Sequence, residues 1–174
     1  MTCVALVGFM GAGKTTVGRE LATRLAWRFD DLDDLIQAAE GSTIEQIFEQ
    51  RGEQAFREME RRILSATLAN HSSPRVIALG GGAFVDPANR AILESAKISA
   101  VFLDAPEDEL FERSEQPEVV RPLRLDRGQF CALYRQRRPA YLNAAICIQT
   151  SGKDVSAVAE EIITALRLKP GVSD

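Results

Sequence analysis

The chain has 174 residues, 45% of them apolar and 26% charged, with a formal net charge of −4. That fits one domain with a real core and argues against a general nucleic-acid binder, which would run basic. No apolar run approaches a membrane span, and the three scattered cysteines (Cys3, Cys131, Cys147) and single His71 offer no metal-like or redox-like spacing. Inert thiols suit a reducing compartment, and a first motif at residue 8 leaves no room for a secretory leader, so a cytoplasmic setting is expected.

In chain order, the apolar run Cys3–Val7 reads as a buried strand. Gly8-Phe9-Met10-Gly11-Ala12-Gly13-Lys14-Thr15 follows, two glycines four residues apart and then Lys-Thr. The segment Thr15 to Trp27 puts Val17, Leu21, Ala22 and Leu25 on one helical face. A short strand is expected at Phe29–Leu32, interrupted by Asp30 and Asp31. Ser42-Thr43-Ile44-Glu45 reads as a capping box opening a helix through Ile44, Ile47 and Phe48. Gly52 breaks that helix, and a longer one is expected from about Glu53 to Ala69 with Phe56, Met59, Ile63 and Leu64 inward. Val76–Leu79 is a strand running into Gly80-Gly81-Gly82. Asp86-Pro87 starts a further helix, and strands follow at Ile98–Leu103 and Ala145–Ile148. The last helix, about Val155 to Leu168, turns Val158, Ile162 and Leu166 to one face. Strands alternating with helices predict an α/β domain with a parallel sheet covered on both faces.

Ser114 to Asp126, with Pro117, Pro122 and no periodicity, reads as a long exposed loop, a candidate lid. Seven arginines and no lysine lie between residues 113 and 138 (113, 121, 124, 127, 135, 137, 138), a local basic cluster suited to a small anion.

Strand, glycine loop and helix aim backbone N–H groups and a helix dipole at one spot, which an ordinary glycine-rich turn does not do. A nucleoside triphosphate is the expected ligand, with Lys14 on its outer phosphates and the Thr15 hydroxyl on Mg²⁺. Strand periodicity puts Asp31 and Asp33 on the same side, at the carboxyl end of the second strand where ligands bind in parallel sheets. One would hold a Mg²⁺-bound water and the other would take or orient a substrate hydroxyl proton; an acidic turn capping the next helix is the alternative. The glycines at 80–82 expose backbone to a ligand, or form a flexible turn. Arg57, Arg121 and Arg137 offer planar forks suited to an anion, or belong to a solvated face.

Several motifs together resemble the shikimate kinase family. They are the glycine loop with Lys14-Thr15-Thr16, Asp31-Leu32-Asp33, Ile47-Phe48 with Gly52-Glu53-Gln54-Ala55-Phe56-Arg57, Gly80-Gly81-Gly82, Arg121-Pro122-Leu123, and Arg137-Arg138-Pro139-Ala140-Tyr141. They occur in family order from about residue 5 to 150. The glycine loop is common to many kinases; the others together are specific.

The resemblance implies a single domain with the three-layer α/β/α P-loop kinase fold and a five-stranded parallel sheet in the order 2-3-1-4-5. To this are added a nucleotide loop at 8–16, a substrate subdomain at about 33–62 and a lid at about 114–126. It implies ATP- and Mg²⁺-dependent phosphorylation of the 3-hydroxyl of shikimate, a step toward chorismate and the aromatic amino acids. By the same resemblance Asp33 meets the reacting hydroxyl, Arg57 and Arg137 hold the shikimate carboxylate, and Gly80, Gly81 and Gly82 lie beside the ring. Phe48, Phe56 and Glu60 complete the acceptor site. Gly11, Ala12, Gly13, Lys14, Thr15 and Thr16 bind ATP, Arg121 reaches its phosphates, and Arg113 with residues 150–152 contacts adenine. Thr15 would ligate Mg²⁺ directly and Asp31 through water. A monomer is expected, with no nucleic-acid or membrane partner. The runner-up is a gluconate-like or nucleoside monophosphate kinase of the same fold, and a silent ATP or shikimate sensor is a further alternative. The chain departs from many family members in having Arg124 after Arg-Pro-Leu, and in an acidic lid (Glu115, Glu118).

Overall fold

Buried parallel strands are apolar on both faces, which is why the first of them, β1 (Cys3–Val7), was plain in the sequence: all five of its residues are buried. The structure is a computed structural model that describes residues 3–69, 73–115 and 125–170. The other strands are β2 (Arg28–Asp31), β3 (Arg75–Ala78), β4 (Ser99–Asp104) and β5 (Ile146–Gln149). They form one parallel sheet in the order β2-β3-β1-β4-β5, with Ala5 of β1 opposite Ile77 on one side and Ala100 on the other. The expected order therefore holds. The bounds differ by a residue from the apolar runs, because Arg75, Asp104 and Gln149 join the ladder although they are polar, while Leu32 starts a helix.

The helices are α1 (Lys14–Leu25), α2 (Leu32–Glu40), α3 (Ile44–Ala69), α4 (Pro87–Ser95), α5 (Glu107–Ser114), α6 (Arg127–Tyr141) and α7 (Val155–Leu166). Their faces follow from right-handed crossovers. The chain passes from β1 to β2 in one direction along the sheet and from β2 to β3, β3 to β4 and β4 to β5 in the other, so α1 covers the opposite face from α3 to α6. The α7 helix returns to pack on α1. On α1 the periodic residues Val17, Leu21, Ala22 and Leu25 are all buried. Each fully buried Leu or Phe of this core contributes about 1.5–3 kcal/mol. Among the described residues no helix is long and apolar enough to cross a membrane.

Local chemistry explains the helix ends. Asp86 Oδ1 accepts from Ala88 N at 2.9 Å, with Pro87 in the first turn, as expected of α4. The α3 helix breaks at Gly52 (φ 79°, ψ 172°), also as expected. Its capping box is one residue further along than the sequence suggested: Thr43 Oγ1 accepts from Gln46 N and Gln46 Oε1 accepts from Thr43 N. Gln46 takes the role expected of Glu45, since either an amide or a carboxylate oxygen can accept at that position. Ser114 is the buried last residue of α5, and Asp126 is the N-cap of α6, so both limits assigned to the expected loop belong to helix ends. Residues 116–124, including Arg121, lie outside the described residues. The α6 helix carries Pro139 inside it, a residue that costs a helix interior about 3 kcal/mol by removing a backbone donor.

Candidate active site

At the carboxyl end of β1 the chain turns into α1 without a side-chain cap, because the N-cap is Gly13. The first-turn N–H groups of α1 are left for an anion. Gly11 has φ +78°, and a Cβ there would run into the Leu110 carbonyl, so the loop is shaped for glycine. Ala12, buried, donates its N–H to the Phe9 carbonyl. Lys14 Nζ donates to the carbonyls of Gly8 and Phe9 at 3.0 Å each. Burial pulls the Lys14 ammonium below its usual value, while Asp33 and Asp31 oppose that shift. Thr16 is exposed next to it.

The Thr15 hydroxyl donates to Asp31 Oδ2 at 2.8 Å, so its lone pairs remain available. The other oxygen of Asp31 accepts from Asp33 N and caps α2. Asp31 thus caps the next helix, as the alternative reading had it, with Asp33 beside it in the first turn. The geometry of the pair differs from the expectation, however. Asp31 ends β2 but Asp33 stands in the first turn of α2, so helix onset rather than strand alternation sets their relation. Burial, and next the charge of Asp31, push the Asp33 carboxyl up to about 6, against the pull of Lys14 and Arg57.

Beyond β3 the backbone passes through Gly80-Gly81-Gly82 into a single 3-10 turn, Ala83–Val85. A Cβ on Gly80 would lie 2.6 Å from Asp33 Oδ1, one on Gly81 3.8 Å from Arg137 Nη1, and one on Gly82 2.8 Å from Arg57 Nη1. Side chains from α2, α6 and α3 thus converge on one bare stretch of main chain.

Arg57 is held by Glu60, 3.0 and 3.1 Å from Nη1, and by Glu53 at 3.5 Å. Its guanidinium lies over the Phe56 ring, 5.1 Å from the centroid, and Phe56 packs on the half-buried Phe48. Glu60 is buried beneath Arg57, where Asn89 also donates to it at 3.3 Å; burial raises its carboxyl against the pull of Arg57. Arg137 lies over the Phe9 ring at 5.9 Å, which ties this corner to the nucleotide loop.

The basic cluster divides on inspection. Arg113 pairs with Glu109, Arg127 with Asp108, Arg135 with Glu107 and Arg138 with Asp104. Among the described residues no carboxylate lies within ion-pair distance of Arg137. Arg113 also donates to Thr150 Oγ1 at 3.0 Å, which places it at the end of β5. Sequence reasoning passed over Phe9 and over the buried Tyr141, whose hydroxyl donates to the Gly81 carbonyl. Tyr141 lies one helical turn beyond Arg137, and that spacing was the available signal.

The arrangement can bind phosphates at the α1 N-terminus and set an acid with a hydroxyl between Asp33 and two arginines. Among the described residues no group of three or more His, Cys, Asp or Glu side chains forms a metal site by itself. The Thr15 hydroxyl beside the Asp31 carboxylate is an all-oxygen pair that fits Mg²⁺, an ion that takes few protein ligands and completes its shell with phosphate and water.

Residues 10–167 match the family model described as shikimate kinase. The chain is 42% identical over 167 residues to the shikimate kinase of Geobacter sulfurreducens, covering 94% of this chain and 90% of the relative. It is 36% identical over 168 residues to that of Persephonella marina, covering 96% and 100%. A solved structure, shikimate kinase from Acinetobacter baumannii in complex with shikimate, superposes with a TM-score of 0.84 at 33% identity, covering 96% of this chain and 93% of the other.

Proposed function

Because the chain belongs to the shikimate kinase family, we propose that it transfers the γ-phosphoryl group of ATP to the 3-hydroxyl of shikimate, giving shikimate 3-phosphate and ADP. The observation that carries this is the convergence of Asp33, Arg57 and Arg137 on Gly80–Gly82 beside the nucleotide loop. Two arginine forks and a carboxylate around bare backbone suit a small ring bearing one carboxylate and a hydroxyl.

Arg57 and Arg137 hold the acceptor carboxylate, with Glu60 behind Arg57 fixing its plane. Phe48 and Phe56 wall the same side. The Asp33 carboxylate accepts the hydrogen bond of the 3-hydroxyl, and its proton as that oxygen bonds to phosphorus. An acceptor near pKa 6 is mostly ionised at neutral pH and still basic enough to help. Lys14 and Arg121 balance charge on the transferring group, and Gly11 to Thr16 cradle the triphosphate. Arg113, fixed beside Thr150, flanks the adenine. Thr15 would ligate Mg²⁺, with Asp31 reaching it through water; when bound, the ion neutralises charge on the β- and γ-phosphates. The enzyme acts as a cytoplasmic monomer on small molecules.

The test is a coupled assay of ADP release with ATP–Mg²⁺ and a panel of acceptors. Shikimate should be the preferred acceptor by kcat/KM. Faster turnover with gluconate or a nucleoside monophosphate would overturn the assignment, and no acceptor-dependent turnover would favour a sensor.

A further inference from the structure

The side chain of Asp104 ends β4 fully inside the protein, 4% exposed, and receives more donors than any other carboxylate described above. Tyr134 donates to Oδ1 at 2.5 Å and the Ala105 N–H at 3.0 Å. Arg138 donates to Oδ2 at 2.9 Å and Gln149 at 3.2 Å. Arg138 also donates to the Tyr134 hydroxyl at 3.1 Å. Tyr134 and Arg138 lie one turn apart on α6, so a single buried acceptor takes two bonds from one face of that helix.

Arg137 is the next residue round from Arg138. The helix that carries it is weakened two residues later by Pro139, which supplies no N–H to the ladder. Rotation and axial register of this stretch therefore depend on tertiary contacts. On one side of the proline they are Tyr134 and Arg138 on Asp104; on the other, Tyr141 on the Gly81 carbonyl. Between these anchors the Arg137 guanidinium stands over Phe9 and close to Gly81.

We propose that the Asp104 carboxylate is a positioning residue for acceptor binding: through Tyr134 and Arg138 it sets α6 so that Arg137 presents its fork at Gly81. The inference rests on Arg137 gripping the acceptor carboxylate. Asp104 serves the nucleotide side by a different group, its main-chain carbonyl, which accepts from Thr150 N at 2.8 Å and Thr150 Oγ1 at 3.2 Å. An Asp104→Asn change keeps that carbonyl and the side-chain shape. It turns an acceptor toward the Arg138 and Gln149 donors into a competing donor. The two halves of the active site should consequently respond differently.

The experiment is a steady-state kinetic cycle on the wild type, D104N, R137A and D104N/R137A, with shikimate and ATP–Mg²⁺ varied in turn. D104N should raise the shikimate KM about 10-fold, the loss typical of a charged hydrogen bond at the lower end. It should leave the ATP KM within about 2-fold, because no nucleotide contact is removed. In the R137A background D104N should add nothing further to the shikimate KM, since the group it positions is gone. Y134F, which keeps the ring against Phe9 and drops only the hydroxyl, should repeat the split with a smaller shift, and it carries the test if D104N fails to fold. An equal rise in both KM values, or the same D104N increment with and without Arg137, would overturn the proposal and reduce Asp104 to a general structural anchor. An R137A enzyme with wild-type shikimate KM would instead overturn the reading of the acceptor site, and this inference with it.

Discussion

Gly80→Ala is the sharpest small perturbation the structure offers. Gly80 does not use a positive φ, so alanine meets no backbone strain there. Its methyl carbon would lie 2.6 Å from Asp33 Oδ1, where ordinary van der Waals contact begins at 3.4 Å. The Asp33 carboxylate must therefore retreat by about 0.8 Å, and as the end of a rotatable side chain it can do so cheaply. Folding should hardly notice, with a stability change within about 1 kcal/mol. Catalysis should notice a great deal, because a misplacement of about 1 Å costs on the order of 100-fold in rate. The assay is kcat and KM for shikimate at saturating ATP–Mg²⁺, with a thermal melt in parallel. The expected result is a melt near wild type, an unchanged ATP KM and a kcat/KM for shikimate lower by about 10- to 100-fold. Wild-type kcat/KM in a folded Gly80→Ala enzyme would show that the Asp33 carboxylate does not need the position it holds against Gly80.

Further outcomes follow from the same geometry. Asp33→Asn should lower kcat by about 10²- to 10⁴-fold, the contribution of a positioned base, and turnover near wild type would remove that role. The kcat/KM of the wild type should fall as pH drops through about 6, where Asp33 takes up a proton; a flat profile from about pH 8 to 5 would contradict it. Asp33 holds its proton more tightly in the fold than its ordinary value of 3.8, so its contribution to stability is complete below that value and is lost as pH rises through about 6. Asp33→Asn escapes this loss: chemical denaturation should find it more stable than wild type by on the order of 1–3 kcal/mol near pH 8, with the gap closing toward about pH 4. Arg57→Lys and Arg137→Lys keep the charge but lose the fork, and titration with shikimate should show affinity weaker by about 10-fold in each, whereas unchanged affinity in both would return them to the solvated face.

Much of this was legible in the chain, for reasons that differ by element. Cys3–Val7 announced itself because a strand buried on both faces must be apolar throughout. The edge strand β2 was expected one residue late and only weakly marked, because Arg28, Asp30 and Asp31 are as much a part of its ladder as Phe29. The α2 helix hid in the acidic run that caps it, and α5 hid because its first turn is Glu107-Asp108-Glu109, with only Leu110 and Ser114 buried. At the site, motif order singled out Asp33, Arg57, Arg137 and the glycines, which the structure brings together, yet nothing in spacing told Arg137 apart from Arg135 or Arg138. That distinction is tertiary. Acids on α5 and β4 neutralise the neighbours, while Arg137 turns toward Phe9.

The Glu60 carboxylate beneath Arg57 also sets the electroneutrality of the acceptor corner. Arg57 is already paired with Glu60 and Glu53, which leaves Arg137 as the guanidinium to be answered; on the proposed function a monoanionic guest balances it and a dianion overfills it, with Asp31 and Asp33 close by. A phosphate monoester would bring surplus negative charge to a partly desolvated place, and that excess is costly. On the proposed function, selectivity against phosphorylated acceptors should then follow from the carboxylate paired with the arginine that the guest binds. Replacing Glu60 by Gln should narrow the gap in inhibition between a carboxylate-bearing acceptor analogue and its phosphonate counterpart.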